Sequence, residues 1–233
     1  DEATVGSTFN NVDPETGRVL IAPKGPDPVL FGIRGEGPSA VREAGLMVAS
    51  EPMERWVVFR TNQGTDAHLG FPVPVSSLRT YSPAILEGQV SDPPKTIKGG
   101  HVFFGLTDET GRVDCAAYEP TGSFRDIVRR LIPGDRVRVY GGVRQDAPLE
   151  RITFNMEKLE VLALARDLRK VNPTCPECGG SMESMGRGKG YRCRSCSFRG
   201  ADMEKRTVEA ERQVGEGLFM PPPRAQRHLS KPK

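Results

Sequence analysis

Alternation of apolar and polar residues dominates the middle of the chain, from about residue 82 to residue 165. Short runs with this two-residue period predict β-strands that each bury one face. The predicted strands are 86–90, 102–106, 113–118, 136–140, 152–156 and 159–162. After the third strand, apolar residues recur at helical spacing and predict a helix with Phe124, Ile127, Val128 and Leu131 on one side. This order predicts an OB-fold, a five-stranded barrel that binds oligonucleotides.

The first 80 residues mix strand and helix patterns. Apolar runs at 19–22, 28–33 and 55–59 predict strands. Ser39 is a suitable N-cap for a helix between the last two of these runs. The apolar face of this helix consists of Val41, Ala44, Met47 and Val48. Strand, helix and strand together predict a small ferredoxin-like α/β unit.

The last third begins with a charged stretch, 166–170, which we interpret as a linker. A zinc ribbon is predicted over about 172–201, followed by a charged helix from 202 to about 214. The chain then runs through three prolines into a basic tail that should be extended or disordered without a partner. The sequence therefore predicts an α+β multidomain protein. Its predicted divisions are 1–80, 81–165, 166–201 and 202–233.

Two Cys-x-x-Cys pairs carry the clearest chemistry in the sequence. Fourteen residues separate the pairs, and their cysteines are Cys175, Cys178, Cys193 and Cys196. Two such turns joined by a short hairpin close a tetrahedral four-sulfur zinc site. One pair alone would suggest a redox site, but two in tandem favour structural zinc. The fifth cysteine, Cys115, has no partner pattern and is interpreted as structural, as is His101.

Charge is distributed unevenly along the 233 residues. The net charge is +3, but from Arg166 to the end there are 15 Lys and Arg against 8 Asp and Glu. A basic C-terminal third is typical of a nucleic-acid contact, although a merely solvated face has the same composition.

The sequence contains no apolar run long enough to span a bilayer and no signal-peptide pattern, so we expect no membrane contact. Zinc-held thiolates suit a reducing compartment, and we expect a cytoplasmic protein.

Candidate RNA-binding residues are aromatic in the barrel and basic in the ribbon and tail. Aromatic rings stack on bases, and arginine and lysine contact phosphates. Because side chains alternate along a strand, at least one of the neighbouring residues Phe103 and Phe104 should belong to the core. The candidates are Phe103, Phe104, Tyr118, Lys189, Arg192, Arg194, Arg199, Arg227, His228 and Lys231.

A polar loop after the predicted strand 55–59 is a candidate substrate site. Loops at strand ends often carry function, and several polar groups here could converge on a ligand. A turn whose residues hydrogen-bond to one another explains the same composition. The candidates, with one arginine from an earlier turn, are Arg34, Thr61, Asn62, Thr65, Asp66 and His68. No catalytic residue is assigned.

Several motifs together resemble one family, the archaeal tRNA 2-agmatinylcytidine synthetases (TiaS). They are 8–13, 28–36, 61–68, 99–104, the two cysteine pairs and 227–232. The resemblance spans nearly the whole chain. It implies an ATP-dependent ligase that attaches agmatine to the wobble cytidine of an isoleucine tRNA, so that the codon AUA is read.

Members of this family also begin with a kinase-like domain that carries an acidic Gly-Ile-Asp-Asp-Thr-Asp-Ser motif. No such motif occurs here, so the chain resembles the C-terminal portion, either as a fragment or as half of a split enzyme. ATP and magnesium are then expected in the kinase-like domain, which would act in trans if the enzyme is split, and this chain alone should bind tRNA without catalysis. The alternatives are a non-enzymatic single-strand binder and a thiol-redox protein.

Overall fold

The computed structural model describes residues 7–49, 51–146 and 151–232. The chain forms two compact units. One contains the residues up to Leu164 together with those from Val214 onward, and the other is Ala165–Gln213. The C-terminal end of the chain therefore belongs to the same unit as the first segment and the barrel.

The first segment contains little regular secondary structure. Its elements are β1 (Thr8–Phe9), β2 (Arg34–Gly35) and α1 (Pro38–Met47), followed by a 3-10 turn at Val75–Ser77. β1 and β2 pair in antiparallel orientation. The predicted helix is confirmed, but Gly37 occupies its N-cap position and Ser39 lies within its first turn. Proline fits the first helical position because its missing N–H would have no partner there.

The three strands predicted in this segment, 19–22, 28–33 and 55–59, are wrong. Val19 forms only an isolated bridge with Val12. Within the described ranges, none of the three runs has a neighbouring strand to pair with. In the run 55–59 the apolar side chains are instead exposed, 56% for Trp56 and 74% for Phe59.

The barrel confirms the predicted OB-fold. Its elements are β3 (Pro83–Val90), β4 (Lys95–Thr96), β5 (Val102–Asp108), β6 (Gly111–Ala117), α2 (Phe124–Arg129), β7 (Arg136–Asp146) and β8 (Arg151–Ala163). Five strands close in the order β3–β5–β6–β8–β7, and β7 pairs back to β3. β6 and β8 are parallel, whereas the other neighbours are antiparallel. This is the strand order of an OB-fold.

Alternation explains how the barrel closes around one core. Val137 and Val139 of β7 are fully buried, and α2 adds Phe124 and Val128. The predicted strands 152–156 and 159–162 are one continuous strand, β8. A β-bulge, in which Glu157 has no opposite residue on β7, joins them. No helix among the described residues has the length and apolar content needed to cross a membrane.

The unit Ala165–Gln213 contains two small sheets. Its strands are β9 (Asp167–Val171), β10 (Met182–Ser184), β11 (Tyr191–Cys193), β12 (Arg199–Gly200) and β13 (Arg206–Ala210). β10, β11 and β12 form the predicted ribbon, and β9 pairs with β13. The predicted linker 166–170 is therefore largely a strand, and the predicted helix 202–214 is wrong. Val208 is half-buried between the exposed Thr207 and Glu209, which is a strand period.

The tail is ordered by contact with the barrel rather than extended without a partner. β14 (Gly217–Phe219) pairs with β8, and a 3-10 turn follows at Pro223–Ala225. Arg224 in this turn reaches the first segment, where Nη1 donates to Asp13 Oδ2 at 2.6 Å and Nη2 lies 2.7 Å from Glu15 Oε2. Asp13 is fully buried. Burial is the largest single effect and opposes ionisation of Asp13, but hydrogen bonds from Arg224, the Glu15 N–H and Thr16, together with the Arg224 charge, outweigh it and lower the pKa of Asp13.

This arginine should make stability depend on pH. Carboxyl groups with a lowered pKa stabilise the folded state above their unfolded pKa of about 4, and the contribution is lost as pH falls through the folded pKa. Arg224→Gln should therefore lower the free energy of unfolding at pH 7, and the difference from wild type should shrink below pH 4. Urea unfolding at several pH values measures both. Arg18→Gln, an exposed arginine of the same segment, is the control, and a pH-independent difference would contradict the prediction.

Candidate metal centre and nucleic-acid interface

The four predicted metal ligands come together at one end of the ribbon. Tight turns place both pairs: the Gly179 N–H donates to Cys175 O at 2.9 Å, with Gly179 at φ +69°. All four sulfur atoms lie within 4.8 Å of one another. Cys175 and Cys196 are 3.5 Å apart at sulfur, and Cys178 and Cys193 are 3.4 Å apart. Four sulfurs around one zinc are separated by about 3.8 Å, so this set fits a tetrahedral zinc ion.

Backbone donors favour the thiolate form of one ligand, Cys193. N–H groups of Cys196 and Ser195 lower the pKa of Cys193 to about 6. Cys193 is fully buried beside Met182 and Tyr191 in the small ribbon core. Because all four ligands come from the protein, the site is closed to substrate, as in structural zinc ribbons.

The basic ribbon residues differ in whether the fold already neutralises them. All four candidates, Lys189, Arg192, Arg194 and Arg199, are exposed. Arg194 forms a salt bridge with Glu183. Arg192 lies directly opposite Arg199 in the β11–β12 register, and neither forms a salt bridge with any described residue. Like charges opposite one another on a sheet are unfavourable, and a bound anion would relieve this repulsion.

The barrel exposes two of its three predicted aromatic residues. Phe104 is 2% exposed in the core, so the structure contradicts it as a base-stacking residue. Phe103 and Tyr118 are half-buried, with ring centroids 6.1 Å apart in an edge-to-face arrangement. His101 lies 5.1 Å from Tyr118, and its Nδ1 accepts the Glu119 N–H at 2.9 Å. The structural role predicted for His101 is therefore confirmed, and we call His101, Phe103 and Tyr118 the aromatic cluster.

The exposed part of the candidate substrate loop bonds to itself. Thr65 Oγ1 donates to Asn62 O at 2.7 Å, and Thr61 Oγ1 accepts the Gln63 N–H at 3.2 Å. This is the turn that the alternative interpretation predicted. Arg34 joins the loop, since its Nε donates to Gln63 Oε1 at 2.6 Å.

Asp66 and His68, also predicted to meet a ligand, instead bind the barrel. Asp66 forms a salt bridge with Lys158, and His68 Nε2 lies 2.9 Å from Glu157 Oε2. The side chains of Glu157 and Lys158 are only 3% and 4% exposed. Buried charges are costly unless they are paired and hydrogen-bonded, so these contacts are structural.

The tail residues complete the same buried network. Gly64 and Asp66 donate their N–H groups to the carbonyls of His228 and Leu229, each at 2.8 Å. Lys158 Nζ donates to Lys231 O at 2.8 Å. Among the predicted RNA-binding tail residues, Arg227 lies 3.3 Å from a Glu157 oxygen, and Lys231 is held through its backbone while its side chain is exposed.

Sequence reasoning missed the residues that hold this network together. Glu157 and Lys158 interrupt an otherwise alternating strand, and the bulge at Glu157 is the reason. Two adjacent charges between the predicted strands 152–156 and 159–162 were the available signal. Ser230, whose Oγ donates to Glu157 at 3.0 Å, carried no signal of its own.

Removing zinc should unfold the ribbon and leave the barrel intact, because the two belong to different compact units. Cys193→Ser should reduce bound zinc from one ion per chain to none, measured by atomic emission, with ribbon amide signals collapsing in NMR spectra. Cys115→Ala is the control, since Cys115 is buried in the barrel core, where burial raises the pKa of its thiol. Full zinc retention by Cys193→Ser would contradict the assignment.

Removing the Asp66 charge should lower the free energy of unfolding, because the buried Lys158 ammonium loses its counter-charge. Asp66→Asn keeps a residue suited to the positive φ of +58° but leaves Lys158 without its carboxylate. We expect a loss of about 3 kcal/mol in urea unfolding. The double variant Asp66→Asn with Lys158→Met should recover part of it. Asp27→Asn, an exposed aspartate of the same segment, should change nothing, and an equal loss there would contradict the pairing.

Comparison with known proteins extends over the whole chain. Residues 1–68 match the family described as TiaS FLD domain, 84–162 match the OB-fold nucleic acid binding domain, and 172–214 match the TiaS C-terminal zinc ribbon domain. The tRNA 2-agmatinylcytidine synthetase TiaS of Methanosarcina mazei, an enzyme named for an isoleucine tRNA, is 44% identical over 234 residues, covering 100% of this chain and 53% of the relative.

Solved structures agree with the sequence matches. The complex of TiaS with its isoleucine tRNA and ATP has a TM-score of 0.83 at 41% identity and covers 100% of this chain and 53% of that one. The complex of TiaS with the same tRNA, AMPCPP and agmatine has a TM-score of 0.81 at 40% identity, covering 100% and 52%. The chain thus spans about half the length of the proteins it matches. With three family matches along its length and this agreement in fold, the chain is the C-terminal part of a member of the TiaS family.

Proposed function

We propose that this chain is the tRNA-binding portion of an ATP-dependent ligase that attaches agmatine to the wobble cytidine of an isoleucine tRNA. The observation that carries the proposal is its full-length similarity to proteins solved with an isoleucine tRNA, ATP or its analogue, and agmatine. ATP and magnesium belong, in this proposal, to the kinase-like part of the enzyme. The zinc thiolates suit a reducing compartment, so we place the enzyme in the cytoplasm.

Two separate surfaces supply the proposed RNA contacts. On the barrel, Phe103 and Tyr118 offer half-exposed rings for base stacking. On the ribbon, Arg192 and Arg199 lie opposite each other and form no salt bridge with any described residue, although Glu183 lies opposite Arg192 on β10. Two neighbouring exposed guanidinium groups favour phosphate binding.

An exposed apolar strip supports contact with the rest of the ligase. Trp56, Val57 and Phe59 are 56%, 67% and 74% exposed in a segment that has no strand partner within the described part of the chain. Large apolar side chains clustered at a surface mark an interaction site. We propose that the part of the ligase that the longer relatives contain and this chain lacks covers these side chains. That part belongs either to the same chain or to a kinase-like domain in trans. The acidic motif associated with ATP does not occur in these 233 residues, so we propose that they bind tRNA without catalysis.

The proposal is tested by titrating the zinc-loaded chain with isoleucine tRNA, another tRNA and single-stranded DNA at two salt concentrations. We expect preference for the isoleucine tRNA. Equal binding to all three, collapsing at the higher salt, would identify a general nucleic-acid binder instead. Agmatine incorporation by this chain alone would contradict the proposal that it binds tRNA without catalysis.

Matched variants locate the contacts. Phe103→Leu should weaken tRNA binding about tenfold through lost stacking, whereas Phe71→Leu, at a remote exposed ring, should not. Arg192→Gln should reduce the slope of log affinity against log salt by about one, because one phosphate contact is lost. Arg194→Gln should change the slope less, since Glu183 already neutralises Arg194. Equal effects within either pair would contradict the corresponding surface.

A further inference from the structure

A small open pocket forms where the tail crosses the first segment. It has a volume of about 190 Å³, room for about six waters. We call it the tail pocket. Its basic lining residues come from both stretches of chain and are Lys24, Arg34, Arg224, Arg227 and His228. Among the residues that the structure describes, no aspartate or glutamate lines it.

The basic groups of the tail pocket are not all neutralised. Arg224 is paired with Asp13 and Glu15, and Arg227 lies beside Glu157. Arg34 and Lys24 form no salt bridge with any residue in the described ranges. The fold therefore leaves at least two positive charges in a concave site without a counter-charge.

The side chains of Arg34 and His228 lie next to each other in the tail pocket. Arg34 Nη2 lies 3.4 Å from His228 Nδ1. A guanidinium can only donate, so a hydrogen bond here requires the tautomer in which Nδ1 accepts and the ring N–H is at Nε2. Hydrogen bonds position both groups: Gln63 receives Arg34 Nε, and the Gly64 N–H fixes the His228 carbonyl at 2.8 Å.

Bracing of the tail does not explain this arrangement. The tail is already held by backbone bonds to Gly64 and Asp66 and by the buried contacts of Glu157 and Lys158. Arg34 is not needed for that attachment. The Arg34 N–H groups that Gln63 and His228 do not use, beside an imidazole N–H and a lysine, suit a tetrahedral oxyanion.

We propose that the tail pocket is a phosphate-binding site, with Arg34 and His228 as its principal ligands and Lys24 at its rim. The inference that the phosphate belongs to a nucleotide or to the RNA backbone rests on the proposed function. The inference that the pocket binds an anion does not. The site is a third proposed contact, in addition to the aromatic cluster and the ribbon arginines.

The first test uses inorganic phosphate as the probe. Titration into the zinc-loaded chain in a low-chloride buffer should shift the imidazole NMR signals of His228 with saturation. Arg34→Gln should weaken this binding about tenfold or more, and Lys24→Gln, an exposed change that leaves the fold intact, should weaken it less. Arg18→Gln should bind as wild type. No saturable shift in wild type, or equal effects of Arg18→Gln and Arg34→Gln, would overturn the proposal.

The second test identifies the carrier by titrating ATP and isoleucine tRNA into the same variants. Weaker tRNA binding in Arg34→Gln assigns the site to an RNA phosphate, and weaker ATP binding alone assigns it to a nucleotide. Unchanged affinity for both ligands would overturn a role for the pocket in either. Loss of preference for isoleucine tRNA in wild type, with the phosphate shift retained, would instead remove the proposed function and leave the anion site standing.

Discussion

Burial of two adjacent charges on one barrel strand is the constraint on which the arrangement of this unit depends. Glu157 and Lys158 lie at a bulge in β8 and are almost inaccessible to water. An unpaired buried charge costs several kcal/mol, so partners must be brought to it. The chain supplies them from two distant places, the loop at Asp66 and His68 and the tail around Ser230.

This constraint explains how the first segment is ordered with so little secondary structure. Ala44 and Val75 are its only buried hydrophobic side chains among the described residues, so it has hardly any core of its own. Polar contacts replace that core, including the fully buried Asp13 with Arg224. The tail is therefore a structural part of the first segment, and the pocket between them exists because both are fixed to the same barrel.

Local patterns predicted the barrel and the ribbon because both depend on short-range rules. The alternation in β7 and the cysteine spacing each specify geometry within a few residues. The network could not be predicted in the same way, since Glu157 and His68 are 89 positions apart. The strand predicted at 55–59 was wrong because an apolar run forms a strand only where a neighbour offers backbone partners. The helix predicted at 202–214 was wrong because pairing with β9 outweighed the charged composition.

The same contrast applies to the basic C-terminal third, where a count of charges overstates the surface available to RNA. Arg166 pairs with Glu209, Arg169 with Asp167, and Arg224 with Asp13. Those arginines have carboxylate partners within the fold and therefore contribute little net field. Arg192 and Arg199 lie opposite each other and form no salt bridge with any described residue, although Glu183 lies opposite Arg192 on β10. The pairing of each charge, rather than the total, therefore indicates where a polyanion binds.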